Sequence, residues 1–182
     1  AEMKTAIEVA HSSGRTVAVH AATAEGMRRA VEAGANTIEH GDGGTPEIFQ
    51  LMAENNVALC PTISAGEAIS EYQGWVRGTQ PYPARVVQKR KSFQQALDAG
   101  VTICMGGDVG VYSHGDNARE MEVMVDYGMS PLNTLISATS INADAFHMED
   151  KIGRIREGLL ADILVVAGNP TEDISALRKV KL

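Results

Sequence analysis

The chain has 182 residues, 44% of them apolar and 21% charged, a balance that suits one ordinary core-forming domain and excludes a disordered segment. Its net charge of −7 argues against a surface built for nucleic acid or anionic membrane, and no apolar run reaches membrane-spanning length. Cys60 and Cys104 each lie in an apolar, strand-like run, which reads as two reduced core thiols and fits a cytoplasmic protein.

Residues 1–15, AEMKTAIEVAHSSGR, predict an amphipathic helix with Met3, Ile7 and Ala10 on one face. Because that helix is already under way at Ala1, the expectation is a piece of a longer chain. After Gly14 comes TVAVHA, β-branched and too short for a helix, hence a strand. Thr23 is placed as the N-cap of a short helix whose Met27, Ala30 and Val31 face inward, and Gly34 ends it. NTIEHG follows as the second strand. Thr45 and Pro46 open the next helix, Ile48, Leu51 and Met52 give its apolar face, and Asn55-Asn56 closes it. VALCPT (57–62) is the third strand.

Residues 63–83 read as an irregular segment carrying the only Trp and two of the four Tyr residues. Two roles fit it: a lid or substrate wall, or a loop that covers apolar surface with Trp75. Residues 84–100 predict a helix with Val86, Phe93 and Leu97 inward and the basic run QKRKS (88–92) on the solvated face. VTICMGGD (101–108) is the fourth strand. Asn117 is assigned as a helix N-cap for AREMEVMVD, and Ser130-Pro131 starts a further helix running to Phe146. The stretch GRIREGLLADILVV (153–166) reads as extended, dividing the chain into a main unit, 1–150, and a small second unit, 151–182.

Strands alternating with helices predict an α/β fold with a parallel sheet, since each crossover returns the chain to the same end. All strand C-termini then share one end, where such folds build their sites. His20, His40 and Asp108 each close a strand, so they would converge. Imidazole nitrogen and carboxylate oxygen suit a borderline cation such as Zn²⁺, and a carboxylate beside an activated water can take its proton. The plainer alternative for each histidine is a hydrogen-bonded structural residue at a strand end.

The motifs VAVHA, IEHG and MGGD, followed by SHGDNAREMEVMVDYGMSPLNTLISATSINAD and GRIREGLLADILVVAGNP, resemble the amidohydrolase superfamily. The nearest branch is that of imidazolonepropionase-like and prolidase-like (Xaa-Pro dipeptidase) enzymes. The resemblance implies the C-terminal half, strands five to eight, of a (β/α)₈ barrel of the TIM type, plus returning strands of a small β-sandwich. It implies one or two divalent metals, zinc foremost, with His20 and His40 as ligands on strands five and six. Asp108, ending strand eight, would be both ligand and catalytic proton shuttle. Residues 57–62 would be strand seven, where no ligand is expected.

The family's paired histidines on the first strand and its carboxylated lysine on the fourth have no counterpart here, and His11 lies in a helical segment without a partner. His114, in the loop after Asp108, either contacts substrate or is an ordinary surface histidine. His147 is assigned to a helix end and Glu39 to a structural role. The expected function is metal-dependent hydrolysis of an amide-type C–N bond in a dipeptide, N-acyl amino acid or cyclic amide. A missing N-terminal half-barrel or a homo-oligomeric partner would complete it. The alternative is a non-catalytic half-barrel that serves only in assembly.

Overall fold

The computed structural model describes residues 1–182. Helix α1 (Glu2–Ser12) leads to strand β1 (Ala18–Thr23), α2 (Ala24–Ala33), β2 (Thr37–Gly43), α3 (Pro46–Glu54) and β3 (Ala58–Cys60). Helices α4 (Ile63–Tyr72), α5 (Ala84–Asp98) and α6 (Ala118–Asp126) follow. After α7 (Pro131–Ile136) a π-helical turn, Ser137–Ile141, runs into α8 (Asn142–Ala145), and a 3₁₀ turn covers Ile174–Arg178. The strands form one parallel sheet in the order β1-β2-β3, with Val19 opposite Ile38 and Ile38 opposite Leu59.

Local chemistry explains the helix ends. Thr23 accepts the Gly26 N–H and Thr45 the Ile48 N–H, so both threonines cap as expected. Gly34 takes a left-handed φ of 95°, which closes α2 at no side-chain cost. Ser130 caps α7 by accepting the Asn133 N–H. Asn117 sits at the α6 cap position without a side-chain capping bond. In α1 only Ile7 is buried, and Met3 faces solvent. Helices α1, α2, α3 and α5 stand side by side in that order, α2 and α5 packed on the sheet, and α5 continues through α4 to α6. Met27, Ile38, Phe49, Met52, Leu59, Ile63 and Phe93 are fully enclosed between these layers.

Four expectations are corrected. Residues 101–108 form no strand, only a single parallel bridge between Ile103 and Leu59. Beyond that bridge the side-chain amide of Asn142 takes both polar groups of Met105, donating to its carbonyl at 2.8 Å and accepting its N–H at 3.0 Å. A side chain thus occupies the edge where a strand would pair. Residues 63–72 are helical, because Ile63, Ala65 and Ala68 bury one face while Glu120 satisfies the first-turn N–H groups. Trp75 is buried in the main core, as the covering role expects.

The basic run at 88–92 is solvated only in part, since Gln88 and Lys91 are exposed but Lys89 and Ser92 are buried toward β2. Lastly, 153–166 contributes no strand. Its one pairing is an antiparallel bridge between Val166 and Val180, and Leu160, Ile163 and Leu164 stay exposed with no neighbouring strand to accept them. The 3₁₀ turn of this tail is fastened to α6 by Arg178, which donates to Glu122 and Asp116. No helix is long and apolar enough to cross a membrane.

Candidate functional site

The C-terminal ends of β1, β2 and β3, together with the 101–108 segment, open on a cavity of about 320 Å³. His20, His40, Asp42, Thr62, Lys89 and Asp108 are among its lining residues. His20 pairs in register with Glu39, so strict alternation would put His40 on the opposite face of its strand. That does not happen. His40 takes φ 73°, and the register between β1 and β2 breaks just beyond it. The turn brings the two imidazoles edge to face, with ring centroids 4.3 Å apart.

Two further residues at this end of the sheet share this backbone. Thr62, just after β3, has φ 47°, and Asp108, after Gly106-Gly107, has φ 56°. Side chains other than glycine rarely adopt this region, and such outliers cluster where geometry serves a site. The glycines before Asp108 are needed for space. A Cβ on Gly106 would lie 2.5 Å from Cys60 Sγ, and one on Gly107 would lie 2.1 Å from Tyr112 Oη.

His40 Nδ1 and Thr62 Oγ1 are 2.6 Å apart. The tautomer that donates Nδ1–H to the threonine leaves the Nε2 lone pair free for an electrophile. Partial burial holds the His40 pKa below its ordinary value, and the neighbouring His20 and Lys89 charges act in the same direction. Neutral imidazole is the form that binds a metal. Lys89, a buried residue, donates to the His40 carbonyl at 2.5 Å and to Asp42 Oδ1 at 2.6 Å. Burial lowers its pKa, and the Asp42 carboxylate opposes that shift. Ser92, one helical turn on, donates to the Gly41 carbonyl at 2.8 Å.

Beneath the cavity, Glu120 accepts the N–H groups of Ile63 and Ser64 at 2.7 Å each. Its burial pushes the carboxyl pKa up against those two bonds. Glu39 accepts from Thr37 Oγ1, a structural contact. Burial, with the Glu39 charge adding to it, drives the Cys104 thiol up to about 12 and raises Cys60 as well, so neither is a nucleophile.

Of the residues singled out from sequence, the fold brings His20, His40 and Asp108 to one cavity. His114 is exposed on the loop beyond and does not line that cavity. His11 bonds Asn36 at the opposite end of β2, and His147 is exposed. Sequence reasoning missed Asp42, Thr62, Lys89, Ser92 and Glu120. Two of them carried a signal. Lys89 falls in the apolar stripe Val86, Phe93, Ala96, and Glu120 falls in the stripe Met121, Val123, Met124. A charged residue in a buried helical stripe needs a partner.

The paired imidazoles of His20 and His40, ring centroids 4.3 Å apart, are ligand types that a borderline cation such as zinc takes. The donor set has the right chemistry but is incomplete: no three His, Cys, Asp or Glu side chains of this chain are gathered closely enough to hold an ion.

The model of the amidohydrolase family matches residues 1–181. Ochratoxinase of Aspergillus niger is 30% identical over 99% of this chain and 38% of its own length. A crystal structure of a Xaa-Pro dipeptidase with methionine bound in its active site superposes with a TM-score of 0.88 at 41% identity, covering 98% of this chain and 45% of that one. A prolidase complexed with N-methylphosphonate-L-proline superposes with a TM-score of 0.83 at 27% identity, covering 99% and 46%. The chain therefore spans less than half the length of each of these relatives.

Proposed function

The chain belongs to the amidohydrolase family, and on that premise we propose that it forms the C-terminal part of a metal-dependent hydrolase of amide-type C–N bonds. The observation that carries this reading is the meeting of His20 and His40, ring centroids 4.3 Å apart, over a cavity shared with Asp108. Small amides and dipeptides are the proposed substrates, in keeping with the prolidase and ochratoxinase relatives. The α/β unit, 1–150, corresponds in this reading to strands five to eight of a (β/α)₈ barrel, and 151–182 to part of a smaller unit.

His20 and His40 would hold a divalent ion, zinc in the first instance, with Asp108 facing it. Such an ion supplies Lewis acidity toward a carbonyl and lowers the pKa of water. Thr62 fixes the ring of His40 and the tautomer that keeps Nε2 available. Asp108 lines the same cavity, and its carboxylate would take a proton from the attacking water and return it to the leaving nitrogen. The remaining ligands come from outside this chain, in an N-terminal half or a second copy.

The test is zinc stoichiometry and hydrolysis of an Xaa-Pro dipeptide, with and without a separately expressed N-terminal half. Metal-dependent hydrolysis by the pair, with weak zinc binding by the chain alone, is the expected result. A zinc-loaded monomer as active as the pair would overturn the half-barrel reading. A pair that assembles without binding metal would leave the assembly module standing instead.

A further inference from the structure

The last residues of β2 have an unusual problem to solve. His40 and Gly41 take successive left-handed conformations, φ 73° and 65°, just where pairing with β3 has stopped at Glu39 and Cys60. Their carbonyls leave the sheet ladder and need donors, because buried carbonyls are almost always paired. Helix α5 supplies both from one face. Lys89 Nζ reaches the His40 carbonyl, and Ser92 Oγ, at i+3, reaches the Gly41 carbonyl. Asp42 accepts the same ammonium and so fixes its direction as well as its charge. Nothing else in the fold competes for Lys89, whose side chain is 7% exposed.

We propose that Lys89 and Ser92 are positioning residues that set the His40 imidazole for metal ligation by clamping the carbonyls of His40 and Gly41. Without the clamp, β2 returns to extended backbone, and alternation swings the His40 ring away from His20. Thr62 then loses its partner too. The clamp acts on His40 through the backbone, since Lys89 and Ser92 bond carbonyl oxygens and not the imidazole. It therefore differs in kind from the contact that Thr62 makes with the ring.

This inference rests on His40 being a metal ligand, and the experiment separates the two. The full chain is titrated with zinc chloride while the His40 ring and Cα resonances are followed by NMR. Lys89→Met and Ser92→Ala are compared with Ile7→Val, a core change in α1 that lowers stability at a distance from the site. In the wild type, zinc should shift the His40 ring signals, and the Cα shift should report a left-handed residue. Lys89→Met should weaken zinc binding at least about tenfold, the usual scale for residues that orient a metal ligand. It should also move the His40 Cα shift toward extended values before any zinc is added.

Ser92→Ala, the smaller deletion and the one that decides if Lys89→Met fails to fold, should weaken binding about threefold, since it removes one neutral donor. Ile7→Val should change neither signal. A wild-type chain whose His40 signals ignore zinc would sink the ligand reading itself. Wild-type binding that persists within about twofold in the variants, with an unmoved His40 Cα shift, would overturn the clamp alone.

Discussion

Removing the Glu120 carboxylate should destabilise the protein more than an ordinary helix cap would. Helix α4 begins at Ile63, and its cap residue Thr62, in a left-handed conformation with its hydroxyl against His40 Nδ1, makes no capping bond. Glu120, reaching across from α6, is the only side chain that meets the first-turn donors Ile63 N and Ser64 N. It is 0% exposed, so water cannot replace it. In Glu120→Ala both N–H groups are orphaned, at about 1–3 kcal/mol each. Relief of the buried charge returns part of that, leaving a net loss of about 2–4 kcal/mol.

Glu120→Gln keeps one acceptor but points an amide N–H₂ at the other donor, so it should lose about 1–3 kcal/mol. For a chain of 182 residues the alanine variant should melt about 4–16 °C lower. Urea unfolding followed by circular dichroism gives the free energy directly. An alanine variant within about 0.5 kcal/mol of wild type would show that α4 does not depend on this carboxylate.

Three further outcomes follow from the geometry. In the complemented enzyme Asp108→Asn should cut turnover by at least about 10²-fold while retaining more metal than His40→Ala, measured by steady-state kinetics and metal analysis. Near-normal turnover would remove Asp108 from proton transfer. His40, whose folded pKa is lowered, binds a proton less readily in the native state than when unfolded, so metal-free stability should rise with pH up to the ordinary histidine value of 6.5. That stability is lost as pH falls through the lowered value. Subtracting the His40→Asn profile isolates it from other groups, Glu120 among them, and equal slopes would refute it. Gly107→Ala forces a Cβ to 2.1 Å from Tyr112 Oη and should cost about 1–3 kcal/mol, with Tyr112→Phe recovering part of the loss in the double variant. Strict additivity in denaturant unfolding would place the strain elsewhere.

The part of the fold that could be read from sequence is the part fixed by local rules. Thr23, Gly34, Thr45-Pro46 and Ser130-Pro131 mark helix ends because capping involves neighbours three residues apart. The misread segments depend on distant partners. Helix α4 needs a carboxylate 57 residues later to open it, and no pattern within 63–72 announces that. The run VTICMGGD has strand composition, yet its pairing is decided by whether a strand or the Asn142 amide reaches Met105. The tail LLADILVV is equally strand-like and finds only the bridge from Val166 to Val180. Composition offers a strand, and pairing decides it.

The site was legible as residue types at strand ends, but not in the backbone that aims them. Of the five non-glycine residues with positive φ, three are His40, Thr62 and Asp108, closing three successive segments of one sheet end. Each such conformation costs on the order of 1–3 kcal/mol and survives only where neighbours over-determine it. Those neighbours can be named. Lys89 and Ser92 hold the carbonyls at His40 and Gly41. Glu120 binds the two N–H groups that follow Thr62. The Gly106-Gly107 pair lets the chain pass Cys60 and Tyr112 on its way to Asp108. Two of these supports are charged groups buried in apolar helical stripes, Lys89 among Val86 and Phe93, Glu120 among Val123 and Met124. A core gains nothing from an ion there, since apolar residues of similar volume pack at no electrostatic cost. Their place is explained by the strained strand ends they face, which ties the cost of the buried charges to the geometry of the site.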